Sequence, residues 1–326
     1  MKKVLFLTSA VLLAGYSYAG IASANAKEAQ LKLVTMLPAK TAIGKSFTHF
    51  IKEFNAEFKG RIKLDWRGGP EIIKQFKQPN AVRLGSIDAT LTSPSYANGI
   101  VSVSGAANYS NRQYADIRSS GYLGLMTKLH ASKGLVYIGE LPVSDLRFHI
   151  FLKKPIKSLA DLKGLKLRVF PSIAPAIKAL GGNPIVLPMT EIYTAMERGI
   201  VDGFVSGASG AARRWGEVIG AYVDHGFYRA TFHFLVNPKA WAKVPTDVQS
   251  DVIKYVRNSN PSSFETVWAP ELKSGYSQLK SKGIKAIKFS AEEGAQFQKT
   301  VLEAAWNAVK KKSPKDGPTL QKMLMK

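Results

Sequence analysis

Residues 162–203 read LKGLKLRVFPSIAPAIKALGGNPIVLPMTEIYTAMERGIVDG, and the order of runs and breaks in this stretch decides the fold. Leu165–Val169 has the leucine and β-branched content of a buried strand. Ser172 is placed to cap a helix ending at Gly181-Gly182, a second strand follows, and Thr190 opens a second helix that stops at Gly199. The unit is strand-helix-strand-helix-strand, with one arginine where none is expected. Arg168 sits inside the first strand, and a buried guanidinium carries a permanent charge and five donors that need partners. No carboxylate nearby in sequence is placed to neutralise it, so a ligand is the simplest partner. A structural arginine bonded to backbone carbonyls at the strand end is the alternative.

The same alternation runs outward. Leu31–Thr35 reads as a strand, and Ile43, Phe47, Phe50, Ile51, Phe54 and Phe58 keep the 3.6-residue period of an amphipathic helix. Ile62, Leu64 and Trp66 alternate as a strand that Gly68-Gly69-Pro70 ends. A helix over 71–83, a strand over 88–92, a helical region over 114–133 and separate strands over 135–139 and 146–152 follow. Capping boxes are expected at Ser158 with Asp161, Thr246 with Gln249 and Ser290 with Glu293. β and α in succession indicate parallel sheets built from crossovers. About 300 residues exceed one comfortable core, so two lobes are expected. With no flexible linker, the chain should cross between them more than once.

The first 26 residues read as a cleavable export signal. Lys2 and Lys3 precede an apolar core, and Ala24-Asn25-Ala26 matches the small-residue cleavage pattern. The chain has no cysteine, which removes disulfides, thiolate metal sites, cysteine nucleophiles and a cysteine-linked lipid anchor. A freely diffusing periplasmic protein is the expectation. The formal net charge of +23 is spread over dispersed lysines. No nucleic-acid motif organises them, so the charge reads as a solubilising surface biased toward anions.

Signatures of catalysis are missing. Ser206-Gly207-Ala208-Ser209-Gly210 lacks the spacing of a nucleophile elbow, and the five histidines form no close ligand pair. There is no phosphate loop and no evident pair of carboxylates. No cofactor and no metal are expected. What stands out is Arg147, in the strand-like run Leu146-Arg147-Phe148. With Arg168 on an adjacent strand it would make an anion clamp suited to carboxylate. Open α/β sheets bind ligands at strand ends facing the crevice.

These residues resemble a known family. LKGLKLRV, the Ala-Leu-Gly-Gly turn, Pro188-Met189-Thr190-Glu191-Ile192-Tyr193, Gly199–Gly203, Gly69-Pro70-Glu71 and Val223–Tyr228 together are similar to the solute-binding proteins of TRAP (tripartite ATP-independent periplasmic) transporters. The likeness extends over the whole chain after the signal. It implies two α/β lobes that close like a clamshell, each a mostly parallel sheet flanked by helices, with a long helix shared between them. The expected division is 27–144 plus 233–272 for lobe I and 145–232 plus 273–326 for lobe II, after a signal at 1–26.

The resemblance also implies a role for the two arginines, and the residues around them suggest the rest of the lining. Arg168 would hold a substrate carboxylate bidentately, with Arg147 as a second ligand-side arginine. Ser206 and Ser93 would supply polar lining, and Phe170, Met189, Tyr96 and Phe204 an apolar wall. The loaded protein would deliver an organic acid to a permease of small and large membrane subunits, driven by an ion gradient, usually sodium, without an ATPase. Many members carry an aromatic residue where this chain has Met189, and an asparagine after V-D-G where it reads Phe204-Val205-Ser206-Gly207. Sialic acid or a C4-dicarboxylate would lack partners here, which leaves a monocarboxylate with an apolar or aromatic body. The same clamshell could instead present an organic acid to a membrane sensor.

Overall fold

The computed structural model describes residues 27–326, apart from the side chains of 144, 145 and 259–266. The expected export signal lies outside the described residues. The strands are β1 (Ala29–Thr35), β2 (Ile62–Gly68), β3 (Ala89–Thr92), β4 (Val136–Leu152), β5 (Lys166–Val169), β6 (Asn183–Val186), β7 (Gly203–Gly207), β8 (Ala221–Val236) and β9 (Lys285–Ile287). They hydrogen-bond in the order β2-β1-β3-β8-β4-β7-β5-β6, with β9 on β8. The outer groups β2-β1-β3 and β7-β5-β6 are parallel, as the alternation predicts. Between them β4 and β8 run antiparallel to each other, β8 to β3 and β4 to β7, while β9 joins β8 in parallel. These two long strands pass through both lobes and join them.

The strands expected over 135–139 and 146–152 are one strand. Pro142 between them looks like a breaker because it cannot donate to a ladder. It is tolerated because β7 pairs with β4 only from Phe148 onward, so at Pro142 β4 has β8 on one flank alone. The pairing shifts register around Val143–Arg147, which absorbs the break.

The first helix, Ala42–Glu57, buries the apolar stripe read from its period, with the Thr41 hydroxyl accepting the Gly44 N–H at 3.0 Å. Its Phe50 and Phe54 rings stand edge-on to Phe234 of β8 at 6.1 and 6.2 Å. The helix expected over 71–83 begins late. Residues 71–74 form a turn in which the Glu71 carboxylate takes the Gly69 N–H at 2.6 Å, and the regular helix is Gln78–Leu84. Two of the three capping boxes form, at Ser158 and Ser290. At 246–249 Pro245 takes the cap position, and the Gln249 amide turns back to the Trp241 and Val244 carbonyls. Ser172 does not cap either: the helix there is Ala174–Ala179 with Ile173 before it. The region over 114–133 divides into Tyr114–Ser119 and Tyr122–Ala131 at Gly121, whose φ of +84° only glycine adopts freely. The chain closes on Ala291–Lys312 and a further short helix, Gly317–Leu324.

From Thr246 to Ser281 the chain is helical without a break, α then π then α. Glu271 on this run lies 3.7 Å from Lys45 and 3.9 Å from Arg213. Lys45 belongs to the first helix and Arg213 to the segment after β7, so the long helical run ties one lobe to the other. Among the described residues no helix is long and apolar enough to cross a membrane.

Candidate functional site

Arg168 is the penultimate residue of β5 and is 0% exposed. Its Nε donates to the Leu187 carbonyl at 2.8 Å and its Nη1 to the Val205 carbonyl at 3.4 Å. Its Nη2 is buried without a partner. Among the described residues no carboxylate forms an ion pair with it. Burial lowers its pKa to about 10, and the facing Tyr96 hydroxyl and the Glu191 charge offset only part of that. The group stays cationic at neutral pH. Two nitrogens rest on backbone carbonyls, and the third still seeks an acceptor. A buried charge of this kind is costly until an anion reaches it.

Beside Arg168 is a cavity whose wall draws on both lobes. Met36 follows β1, Ile43 opens the first helix, Tyr96 sits on the turn Pro94–Ala97, and Phe148, Tyr228, Ala230 and Phe232 come from β4 and β8. Phe170 follows β5 and Met189 follows β6, and the Arg168 guanidinium carbon lies 5.8 Å from the Phe170 ring centre. Ser93, Asn108 and Thr231 are the polar lining. The cavity is about 20 Å³. That is room for about one water. As it stands, the cavity is too small for an organic ligand.

Four of the residues expected at a site therefore meet here: Tyr96, Ser93, Phe170 and Met189 share the cavity, and Arg168 lies behind the lining, against Phe170 and Tyr96. Three others do not line it. Arg147 was expected on a strand adjacent to that of Arg168, but β7 lies between β4 and β5. Its neighbour Phe148 takes the cavity position, and successive strand side chains leave opposite faces. A β-carbon on Gly226 would lie 2.5 Å from that of Arg147 and 3.5 Å from His149 Cε1, so Arg147 shares its face with His149. Ser206 pairs across the sheet with the same His149, whose Nε2 is 2.7 Å from the Tyr276 hydroxyl. Phe204 stacks on Phe151 at 5.2 Å and packs edge-on to Trp215. It is core.

The sequence reading missed Asn108, Phe148, Tyr228, Thr231 and Phe232, which no local pattern distinguishes from ordinary core. It also missed a half-buried guanidinium against Met189 of the cavity lining. Arg214 lies over the Trp215 ring at 4.2 Å, donates to the Ser209 carbonyl at 2.9 Å, and has Nη1 3.9 Å from Met189 Sδ. Burial lowers its pKa to about 10 as well, with Arg213 adding to the effect. Among the described residues no cluster of three histidine, aspartate or glutamate side chains could hold a metal.

Contacts beside the cavity hold the lobes together. The Tyr109 hydroxyl donates to the Ser172 carbonyl at 2.9 Å, and the Ser172 N–H donates to Ser95 Oγ at 2.9 Å. The Ser172 hydroxyl is 3.2 Å from that of Tyr228. Ser172, expected as a helix cap, serves this junction instead.

Comparison with known proteins adds an independent line. The family model described as bacterial extracellular solute-binding protein, family 7, matches residues 33–312. A solute-binding protein of Roseobacter denitrificans is 25% identical over 296 residues, 86% of this chain and 87% of its own. A monocarboxylate 2-oxoacid-binding periplasmic protein of Nostoc sp. is 29% identical over 215 residues, 58% of this chain and 55% of its own. Among solved structures, a TRAP periplasmic solute binding protein from Desulfovibrio salexigens with bound orotic acid superposes with a TM-score of 0.82 at 19% identity. It covers 91% of this chain and 97% of that one.

Proposed function

The chain belongs to family 7 of the bacterial extracellular solute-binding proteins, and from that premise we propose that its cavity captures a monocarboxylate with an apolar or aromatic body for a TRAP permease. It is a binding protein and not an enzyme, as its family is. The observation that carries the carboxylate is the buried, unpartnered Nη2 of Arg168, whose guanidinium lies against Phe170 of the cavity lining. A carboxylate is planar and bidentate, matches the guanidinium fork, and neutralises the charge that burial has left uncompensated. One such arginine beside a largely apolar lining favours one carboxylate over two. The name of the Nostoc relative, which binds monocarboxylate 2-oxoacids, supports the same class.

We take the lobes to be 27–144 with 233–272, and 145–232 with 273–326. They part about β4 and β8 to admit the acid and close over it. A closed, loaded surface then differs from the open one, which is what lets a permease of small and large subunits tell them apart. The compartment is the periplasm, and an ion gradient drives uptake.

Thermal melting of the purified protein against organic acids, neutral sugars and amines tests this reading. A ligand at about 100 times its Kd adds roughly 2.7 kcal/mol of stability. Carboxylates are expected to raise the melting temperature. If sugars or amines do so and no carboxylate does, the reading is wrong.

A further inference from the structure

A second guanidinium stands against the cavity lining without an acid of its own. Arg214, on the short helix Ala211–Trp215, has its guanidinium carbon 4.2 Å from the Trp215 ring centre and donates Nη2 to the Ser209 carbonyl at 2.9 Å. Its Nε is buried and unbonded. Its Nη1 finds only Met189 Sδ, at 3.9 Å, and a thioether sulfur is a weak acceptor. Among the described residues no carboxylate forms an ion pair with Arg214. Glu271 on the long helical run is taken by Lys45 and Arg213. Met189 is buried and lines the cavity. One methionine therefore borders both the ligand space and a cation with spare donors.

Resting on the reading that Arg168 holds a carboxylate here, we propose that Met189 sets specificity by screening Arg214, so that the protein takes monocarboxylates and rejects dicarboxylates. A dicarboxylate fixed on Arg168 has to bury its second carboxylate in a lining dominated by Phe148, Phe170, Phe232 and Met189. A buried carboxylate without a cation is costly. The polar lining, Ser93, Asn108 and Thr231, brings no charge. Arg214 is the cation that would neutralise the second carboxylate, and Met189 occupies the space at its Nη1. A ligand that ends in a methyl or a phenyl group meets the methionine instead, whose thioether is soft and apolar. Discrimination of this kind comes from leaving the wrong ligand's charge unpaired. Shortening the side chain at position 189 should undo it.

Calorimetric titration with matched acids tests the assignment: butanoate against succinate, pentanoate against glutarate, hexanoate against adipate, and 3-phenylpropanoate against 3-(4-carboxyphenyl)propanoate. Wild-type protein is expected to bind at least one monoacid, and to bind it about tenfold or more tightly than its diacid, equivalent to ~1.4 kcal/mol. Met189→Ala should raise the diacid-to-monoacid affinity ratio about tenfold or more in at least one pair. Met189→Leu conserves volume and should keep the wild-type ratio. Adding Arg214→Gln to Met189→Ala should remove the gain. Met189→Val shortens the side chain less and is read in place of an alanine variant that does not fold. Diacids that bind wild-type protein as tightly as monoacids overturn the proposal, and that comparison needs no variant. A ratio that shortening residue 189 does not move, or a gain that survives the loss of Arg214, overturns it too. All three results leave the carboxylate reading standing. If no acid in the panel binds wild-type protein, the proposal and the carboxylate reading fail together.

Discussion

The Tyr109 hydroxyl donates to the Ser172 carbonyl at 2.9 Å, joining the turn that precedes β4 in one lobe to the loop that leaves β5 in the other. Both ends touch the cavity wall. The Tyr109 ring packs edge-on to Tyr228 at 5.2 Å, and the Ser172 hydroxyl lies 3.2 Å from the Tyr228 hydroxyl. On the proposed clamshell, parting the lobes breaks this bond. Tyr109→Phe removes it without changing the ring, so the open state gains by roughly 0.5–1.5 kcal/mol. Carboxylate affinity is expected to fall about 2- to 10-fold, with a larger radius of gyration for the ligand-free protein in small-angle scattering. Wild-type affinity and an unchanged radius would show that the bond has no part in closure.

Arg168 separates binding from stability. Arg168→Lys keeps a positive charge but loses the planar fork, and affinity for any carboxylate should drop about 100-fold or more in calorimetry. Arg168→Met removes a buried charge that no carboxylate neutralises. Replacing such a group by an apolar one of similar volume is often neutral or stabilising. Its ligand-free melting temperature should equal or exceed that of wild type, while the shift produced by acids disappears. A strongly destabilised Met variant would mean that the bonds to Leu187 and Val205 are the main role of Arg168.

His130 makes stability depend on pH. Its side chain is fully buried against Tyr137 and His233, with Nδ1 2.8 Å from the Met126 carbonyl, and burial lowers its pKa to about 3, with His233 adding to the effect. At pH 7 it is neutral in the folded chain and mostly neutral in the unfolded one, so the slope there is small. Below the unfolded value near 6.5 only the unfolded chain takes the proton, so stability falls by about 1.4 kcal/mol per pH unit until the folded pKa is reached. Urea unfolding at pH 7.5 and pH 5.5 should show a smaller loss for His130→Phe than for wild type. Equal losses would remove His130 as a source of acid sensitivity.

Gly203 marks where β7 meets its neighbours. A β-carbon there would run into the Phe151 carbonyl oxygen and come within 2.9 Å of Leu152 and Leu167 side-chain carbons. Gly203→Ala is expected to cost about 1–3 kcal/mol through overpacking between β4, β7 and β5, read as a lower urea midpoint at unchanged slope. A midpoint equal to that of wild type would mean the sheet has room that the geometry denies.

Much of the architecture was legible because its signals are local. The period of Ile43–Phe58, the leucine-rich run around Arg168 and the glycines at Gly181 and Gly199 each act within one element. The division into strands over 135–139 and 146–152 and the cap expected at Ser172 failed because longer-range contacts decide them. A proline ends a strand only if both flanks need its missing N–H, and a serine caps a helix only if nothing better competes for it. Pairing with β8 alone decides the first, and the contact across the lobes decides the second.

By itself the sequence determined the α/β alternation, the family, and the presence of a buried arginine without a carboxylate beside it in the chain. These follow from short-range periodicity and from residue chemistry, which need no knowledge of partners. Only the tertiary structure decided that β7 separates the strands of Arg147 and Arg168, and that Phe148 rather than Arg147 faces the cavity. It alone brought Tyr228 and Phe232 to one cavity with Tyr96 and Phe170. Strand order and the meeting of the lobes are set by pairings between residues far apart in the chain, and a binding wall assembled from such residues leaves no spacing for a sequence to display.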